Sequence, residues 1–341
     1  MKHILRRLGG RLLWALVVVV GVVSVAFVIE RALPGEPVRM LLGPQARPAD
    51  VARAREIYAL EAPLWVQYGR FWTRLIHVAP DESPPPSSGG SHRSCGEPGL
   101  GLHVDLGYSY RYRKPVVKLI VAKAPLSFRL AVWALALQAM LGLGLGILAA
   151  RHRDTTADQL IVGTTLVGSS APIFALGLLL QYGLAHRLGW LPFDGAGDAS
   201  DRYRYLILPV LTLGLYGATL YTRLTREEMV DCLGSDFVLA ARARGASSWR
   251  ATLVHGLRAA LLPIVTLLVL ELGALLGGAV VTEKLFRWPG LGAMAVDAMV
   301  NRDGPVIMGT VLFGAGAIVV ATLAVDVLAV VLDPRVRAGN D

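Results

Sequence analysis

Six long runs divide this chain, and in five of them no charged side chain occurs: Leu12–Ile29, Leu130–Ala150, Leu160–Ala185, Tyr205–Thr222 and Val306–Val325. The sixth, Leu261–Thr282, is interrupted only by Glu271. A helix rising about 1.5 Å per residue needs about 20 apolar residues to cross the hydrocarbon core, and each run approaches or exceeds that length. Hydrophobic residues are 54% of the chain and charged residues 17%, and the mean hydropathy is +0.52. A soluble domain carries more charge and spreads its apolar residues periodically, whereas here they are massed in blocks. Lipid offers the backbone no hydrogen bonds, so such blocks must be helices. The expected fold class is all-α and polytopic, with six transmembrane helices.

Charge orients the spans. The formal net charge is +9, and the basic residues flank alternate spans. Lys2, Arg6, Arg7 and Arg11 precede the first, and Arg151, His152 and Arg153 follow the second. Arg223, Arg226, Arg242, Arg244, Arg250 and Arg258 crowd one connection. By the positive-inside rule these flanks face the cytosol, with both termini there. The same rule explains the positive charge without nucleic acid. The first run is too long for a signal peptide and has no small-residue cleavage site after it, so an uncleaved helix is expected. Between the first two spans lies a large extracytoplasmic segment. Pro48–Tyr58 has amphipathic spacing, Trp65, Tyr68, Phe71 and Trp72 suit an interface or packing on the spans, and Val104–Val116 suits extended or turn structure. The Pro, Ser and Gly of Asp81–Gly99 predict a flexible insertion. Cys95 and Cys232 fall on opposite sides, so no disulfide is expected, and no metal-ligand spacing occurs.

The arginine-rich connection has helical spacing. In DFVLAARARG, Phe237, Ala240, Ala241 and Arg244 share a face, and the small alanines permit close approach of another surface. Asp236 opens this helix, Gly245 permits a turn that a β-carbon would hinder, and Ser247 or Ser248 can cap a second helix containing Trp249, Thr252 and His255. Two short helices at a bend form a rigid lever; a basic hairpin lying on anionic lipid has the same periodicity.

AARARG at Ala240–Gly245, followed by Leu262-Pro263, resembles the EAA signature of binding-protein-dependent ABC-transporter permeases. ILRRLG at Ile4–Gly9, LPGEP at Leu33–Pro37, DLGYS at Asp105–Ser109, TEKLFRWPGLG at Thr282–Gly292 and DPRVR at Asp333–Arg337 match the oligopeptide/dipeptide (and nickel) permease subfamily in order and spacing. The resemblance implies a type I, MetI-like importer permease fold in a prokaryotic plasma membrane. It makes Asp236, Phe237, Ala240, Ala241, Arg244, Gly245 and Trp249 the loop that couples to an ATPase. Implied partners are a second homologous permease, two ATP-binding cassette ATPase domains and an extracytoplasmic solute-binding protein, besides membrane lipids. No cofactor is bound directly; ATP is used by the partners, and the chain has no P-loop of its own. The organisation that follows is residues 1–33 as N-terminal segment and first span, 34–125 outside with the insertion 81–99, 126–332 as permease core with coupling loop 223–260, and 333–341 as cytosolic tail.

Other residues divide between function and packing. Glu271 inside a span must face a pore, a partner subunit or a polar neighbour, because facing lipid is costly. An internal hydrogen bond is the simpler reading, with Tyr216 as a second pathway candidate. Asp326 suits an interfacial or packing place, and Tyr221, like Tyr216, could line a pathway although aromatic residues in membrane helices more often pack. Glu283, Arg287, Trp288, Pro289 and Gly290 are expected in a compact reentry turn with an interface anchor, and the resemblance implies an external element with a gate or docking role. Gly142, Gly144 and Gly146 suit close helix packing, Pro172 a kink in the third span, and Gly277 and Gly278 a bend. The transported solute is expected to be a di- or oligopeptide, with nickel or another small solute as the alternative. An ion-coupled secondary transporter is disfavoured because no internal repeat is evident.

Overall fold

Five helices of the computed structural model are long and apolar enough to cross a bilayer, and a sharply bent helix pair makes a sixth if counted as one crossing. The structure describes residues 2–32, 47–49, 62–78, 102–195 and 202–332. The elements are α1 (Lys2–Ala32), α2 (Leu64–Leu75), β1 (Ile76–Val78), β2 (Leu102–Val104), α3 (Val116–Arg151), α4 (Thr156–Ser170), α5 (Ile173–Arg187), α6 (Arg202–Leu233) and α7 (Asp236–Ala243). They continue with α8 (Ser248–Leu276), α9 (Val280–Leu285), α10 (Leu291–Val300) and α11 (Gly304–Leu332). The expected insertion Asp81–Gly99, most of the helix expected at Pro48–Tyr58, Cys95 and the tail after Leu332 lie outside the described residues.

Several helices outrun their uncharged runs. The second span starts fourteen residues before Leu130, at Val116, and the fourth runs past Thr222 to Leu233. Charge ends an apolar run without ending the helix, because arginine and glutamate are good helix formers. The third span departs further from expectation. Pro172 does not kink one helix: α4 stops at Ser170, Ala171 is extended (φ −85°, ψ 139°), and α5 starts after Pro172 at 99° to α4. Proline disfavours helical geometry in the residue before it, and it is well tolerated at a helix start. Gly277 caps α8, and Gly278 at φ +119° turns the chain out of it.

The chain divides into two compact units, residues 1–126 with 290–316, and residues 127–289 with 317–341. In the first, Val116 and Ile120 of α3 pack with Leu291 and Met294 of α10 and Val306 of α11. A second cluster sets Val23 and Phe27 of α1 against Met308 and the α2 aromatics Tyr68, Phe71 and Trp72. Trp65, by contrast, is exposed. β1 and β2 pair antiparallel with Ile76 opposite Val104 and Val78 opposite Leu102, so the chain between them leaves and returns through one ladder. The DLGYS stretch is then locked from within. Asp105 Oδ1 accepts from the Gly107 amide at 2.8 Å, and Gly107 sits at φ +86°. The buried Ser109 hydroxyl donates to Asp303 Oδ2 at 2.5 Å and accepts from the Tyr112 amide at 2.9 Å.

In the second unit α6 is the hub, flanked by α4, α5 and α8. Glycines let α3 and α6 approach closely. A β-carbon on Gly142 would overlap Tyr221, and one on Gly146 would lie 2.5 Å from Thr225 Cβ and 2.8 Å from the Thr222 carbonyl. Gly144, between them, faces open space. The buried Gln138 amide donates to the Leu213 carbonyl at 3.0 Å across the same seam.

Candidate functional site

The arginine-rich connection folds as a hairpin of short helices bound firmly to the ends of α6 and α8. After Leu233, Gly234 and Ser235 turn the chain, with the Ser235 hydroxyl donating to the Cys232 carbonyl at 2.5 Å. Eight residues of α7 follow. At its end the Gly245 amide donates to the Arg242 carbonyl (2.9 Å) and the Ala246 amide to the Ala241 carbonyl (3.1 Å). With Gly245 at φ +90° this is a Schellman cap, which satisfies two otherwise orphaned carbonyls. Ser247 then caps α8, its side chain accepting from the Arg250 amide. Both the turn at Gly245 and the cap at Ser247 are where the residue types place them.

The expected face of α7 splits in two. Val238 and Ala241 are buried, while Phe237, Leu239, Ala240, Arg242 and Arg244 are exposed. Ala241 therefore belongs to the packed side, and the outer face is carried by Phe237, Ala240 and Arg244. The correction is geometric. Positions 237, 241 and 244 are one turn apart, but a helix docked against the neighbouring turn of α8 by Val238 also buries 241, three positions along. Beneath the hairpin, Met229 and Ala260 are buried with Ile147 and Ala150 in one cluster. Buried Gly256 brings Leu233 and Met229 close to α8, and residues 251–256 form a π-helical stretch. Asp236 is exposed at the helix start. Trp249 is half exposed, and the Arg151 guanidinium lies 3.8 Å from its ring centroid.

One of the six arginines of this connection is not a surface charge. Arg226 makes two bonds to the buried Asp158 at the start of α4: Nε to Oδ1 at 2.6 Å and Nη2 to Oδ2 at 2.7 Å. Asp158 Oδ2 also accepts from the Asp154 amide at 3.1 Å. A bidentate pair in this setting fixes α4 to the end of α6 that enters the hairpin. Asp158 lay just outside the apolar run, so composition passed it over. An acid at the edge of an apolar run facing a surplus of arginines was the available signal.

Further along the spans, Glu271 of α8 accepts from the Tyr221 hydroxyl at 2.5 Å, with Tyr221 fully buried. This is the internal bond expected for an acid in a span. Tyr216 of α6 is about one-third exposed.

The Thr282–Gly292 stretch is not the exposed anchor expected of it. Trp288 and Phe286 are 1% accessible and Glu283 is 0%. Glu283 accepts from the Ser127 hydroxyl at 2.8 Å, and the Trp288 amide donates to the Glu283 carbonyl at 2.8 Å. Lys284 and Arg287 reach out, and Arg287, at φ +49°, pairs with Asp194 at 3.1 Å. The Gly195 amide binds the Phe286 carbonyl beside it at 2.9 Å. Pro289 and the buried Gly290 lead into α10, with Gly290 as its cap. A tryptophan at an interface and one in a core look alike in sequence. Here the surrounding Phe286, Leu291 and Glu283 are all inward, so the whole turn is a plug of structure. Among the described residues no group of three or more His, Cys, Asp and Glu could hold a metal ion.

Known proteins carry the same pattern. Residues 142–338 match the family model described as binding-protein-dependent transport system inner membrane component, and residues 1–131 match the corresponding N-terminal model. The glutathione transport system permease protein GsiC of Salmonella paratyphi A is 36% identical over 337 residues, covering 99% of both chains. That of Escherichia coli K12 is 34% identical over 338 residues, again with 99% of each covered. The inward-facing MetNI methionine ABC transporter has a chain that superposes with a TM-score of 0.51 at 16% identity, covering 64% of this chain and 98% of that one. The chain belongs to the binding-protein-dependent transport system inner membrane component family, the multi-pass permease subunits of ABC importers, whose ATPase sites reside in separate partner subunits.

Proposed function

We propose that this permease subunit moves small peptides into the cell, driven by an ATPase that grips the α7 hairpin. The observation that carries the coupling role is the build of that hairpin. Val238 and Ala241 anchor it inward, the Gly245 cap and Ser247 brace its bend, and Phe237, Ala240 and Arg244 are left facing out. A helix held on one side and bare on the other transmits a push as rigid displacement, which a loose loop would absorb. The arginine excess supports a topology with this hairpin and both termini in the cytosol, and the segment between the first two spans outside. Alternating access then follows from ATP-driven movement of the hairpin, with a second permease completing the pathway and a solute-binding protein delivering the cargo. The function of Glu283, Arg287, Trp288, Pro289 and Gly290 is to hold the outer end of this unit together.

The peptide reading is supported by full-length similarity to permeases named for glutathione, itself a small anionic peptide. Two experiments test the pair of claims. Ala240→Cys is expected to crosslink to the ATPase groove in a nucleotide-dependent manner. An assembled complex with no crosslink at 240, 237 or 244 overturns the coupling role. Calorimetry on the cognate solute-binding protein with short peptides, nickel chelates and sugars tests the cargo; binding of a sugar or chelate in place of peptides overturns the substrate class.

A further inference from the structure

A cavity of about 270 Å³ opens where the ends of α3 and α6 meet α7 and the start of α8, lined by Arg151, Arg153, Arg242, Ser248 and Thr252, with Ala150 and Leu233 on its apolar side. We infer that this cavity binds the phosphate headgroup of an anionic phospholipid. The proposal goes beyond transport and coupling: it gives the permease a lipid site of its own.

Three arginines from two separate parts of the chain line the cavity. Arg153 is partly engaged, its Nε lying 3.3 Å from the exposed Asp154 carboxylate. Arg151 is not so engaged. Its guanidinium carbon lies over the Trp249 ring, 3.8 Å from the centroid, and its Nη1 is buried with no hydrogen-bond partner among the described residues. A buried cationic N–H left without an acceptor is costly, and native structures rarely keep one unless an ion, water or ligand supplies the oxygen. The cavity wall does not supply it. The Thr252 hydroxyl donates to the Ser248 carbonyl at 2.9 Å and makes no bond to Nη1, and no carboxylate is among the lining residues. A lining of three arginines and no carboxylate complements an anion with several acceptor oxygens, and phosphate suits guanidinium forks best.

Position decides the source. Arg151 directly follows the uncharged run Leu130–Ala150, so it stands at the depth where hydrocarbon gives way to headgroups. Trp249 beside it is half exposed, as an indole at that boundary is expected to be. Leu148 on α3 and Leu253 on α8, each about one turn from these two, are 41% and 45% accessible and offer an apolar surface for acyl chains. The cavity is smaller than the about 300–1,000 Å³ of sites that enclose a whole drug-sized molecule, and it suits a headgroup whose tails lie outside. Basic pockets between helix ends are recognised seats for anionic lipid.

Native mass spectrometry of the full-length chain in detergent tests this, with phosphatidylglycerol, phosphatidylcholine and inorganic phosphate as probes. The wild type is expected to retain one phosphatidylglycerol about tenfold more tightly than phosphatidylcholine. Arg151→Gln and Arg242→Gln are expected to remove that preference, Arg151→Lys to keep part of it, and Arg223→Gln, outside the cavity, to leave it intact. Equal binding of the two lipids, or a preference unchanged in both glutamine variants, overturns the assignment. Free phosphate that competes the lipid away at matched concentration reassigns the cavity to a soluble anion and overturns it too. Loss of ATPase copurification in Arg151→Gln with unchanged lipid binding hands the cavity to an acidic side chain of a partner and likewise overturns it. Because lipid retention is read on the isolated chain, it stands or falls separately from peptide transport.

Discussion

Replacing three glycines of α3 one at a time by alanine should give opposite results within a single turn. Gly142 and Gly146 face α6 so closely that an added β-carbon meets backbone: 3.1 Å to the Tyr221 carbonyl carbon, and 2.8 Å to the Thr222 carbonyl oxygen. Backbone cannot rotate away as a side chain can. The helices must part by several tenths of an ångström at least, and overpacking of this kind costs about 1–3 kcal/mol. Separation also strains a neighbouring bond of the seam, Gln138 to Leu213. Gly144 has nothing within 4 Å of a β-carbon and lies mid-helix, so alanine there should stabilise by about 0.5–1 kcal/mol through lower backbone entropy. At about 2–4 °C per kcal/mol, the first two variants should melt about 2–12 °C lower and the third about 1–4 °C higher. Heating the chain in detergent, followed by fluorescence-detected size exclusion, reads the midpoint. If Gly142→Ala and Gly144→Ala shift in the same direction by similar amounts, the close approach of α3 and α6 is wrong.

Further substitutions test other parts of the structure. Asp158→Asn should destabilise by about 2–3 kcal/mol, below the full cost of breaking a buried pair because Arg226 retains some solvent contact, and Arg226→Gln added to it should recover part of the loss; thermal midpoints of the single and double variants check this. Gly245→Ala should cost about 1–2 kcal/mol from the φ +90° backbone, with Gly245→Asn costing less, and ATPase activity should lose its dependence on transported solute before the chain unfolds. Ser109→Ala should cost about 1–3 kcal/mol, since among the described residues the Asp303 side chain then keeps the Tyr110 and Arg111 amides, both at 3.2 Å, measured again as a thermal midpoint.

What could be read from the residues alone follows a physical division. Apolar runs name the spans because lipid demands length and purity of composition, and both are local. Gly245 and Ser247 were legible for the same reason: a positive φ and a capped amide are solved within a few residues. Pro172 was visible, but its 99° consequence was not, since the depth of a break depends on what α5 packs against. Long-range polar pairs were largely hidden. Asp158 meets Arg226, and Asp303 meets Ser109, across 68 and 194 residues of chain. Nothing near Asp303 announces its partner, and near Asp158 a surplus of arginines points to the kind of partner without saying which one. Trp288 failed differently, because an indole suits both a headgroup layer and a core, and only its neighbours decide. Ala241 shows the limit of a helical face: periodicity gives residues that share a side, and docking selects which sector of that side is hidden.

The small ladder of β1 and β2 has a consequence for how the family can vary. Its three paired residues hold the two ends of the intervening chain a single strand spacing apart, whatever length lies between. Closing a loop costs free energy only as the logarithm of its length, so a doubling adds about 0.6 kcal/mol. The ladder is thus a port at which sequence can be gained or lost without re-registering α2 against α3. An epitope, a fluorophore site or a whole small domain inserted there should leave the permease assembled, and deletion back to a tight turn should do the same.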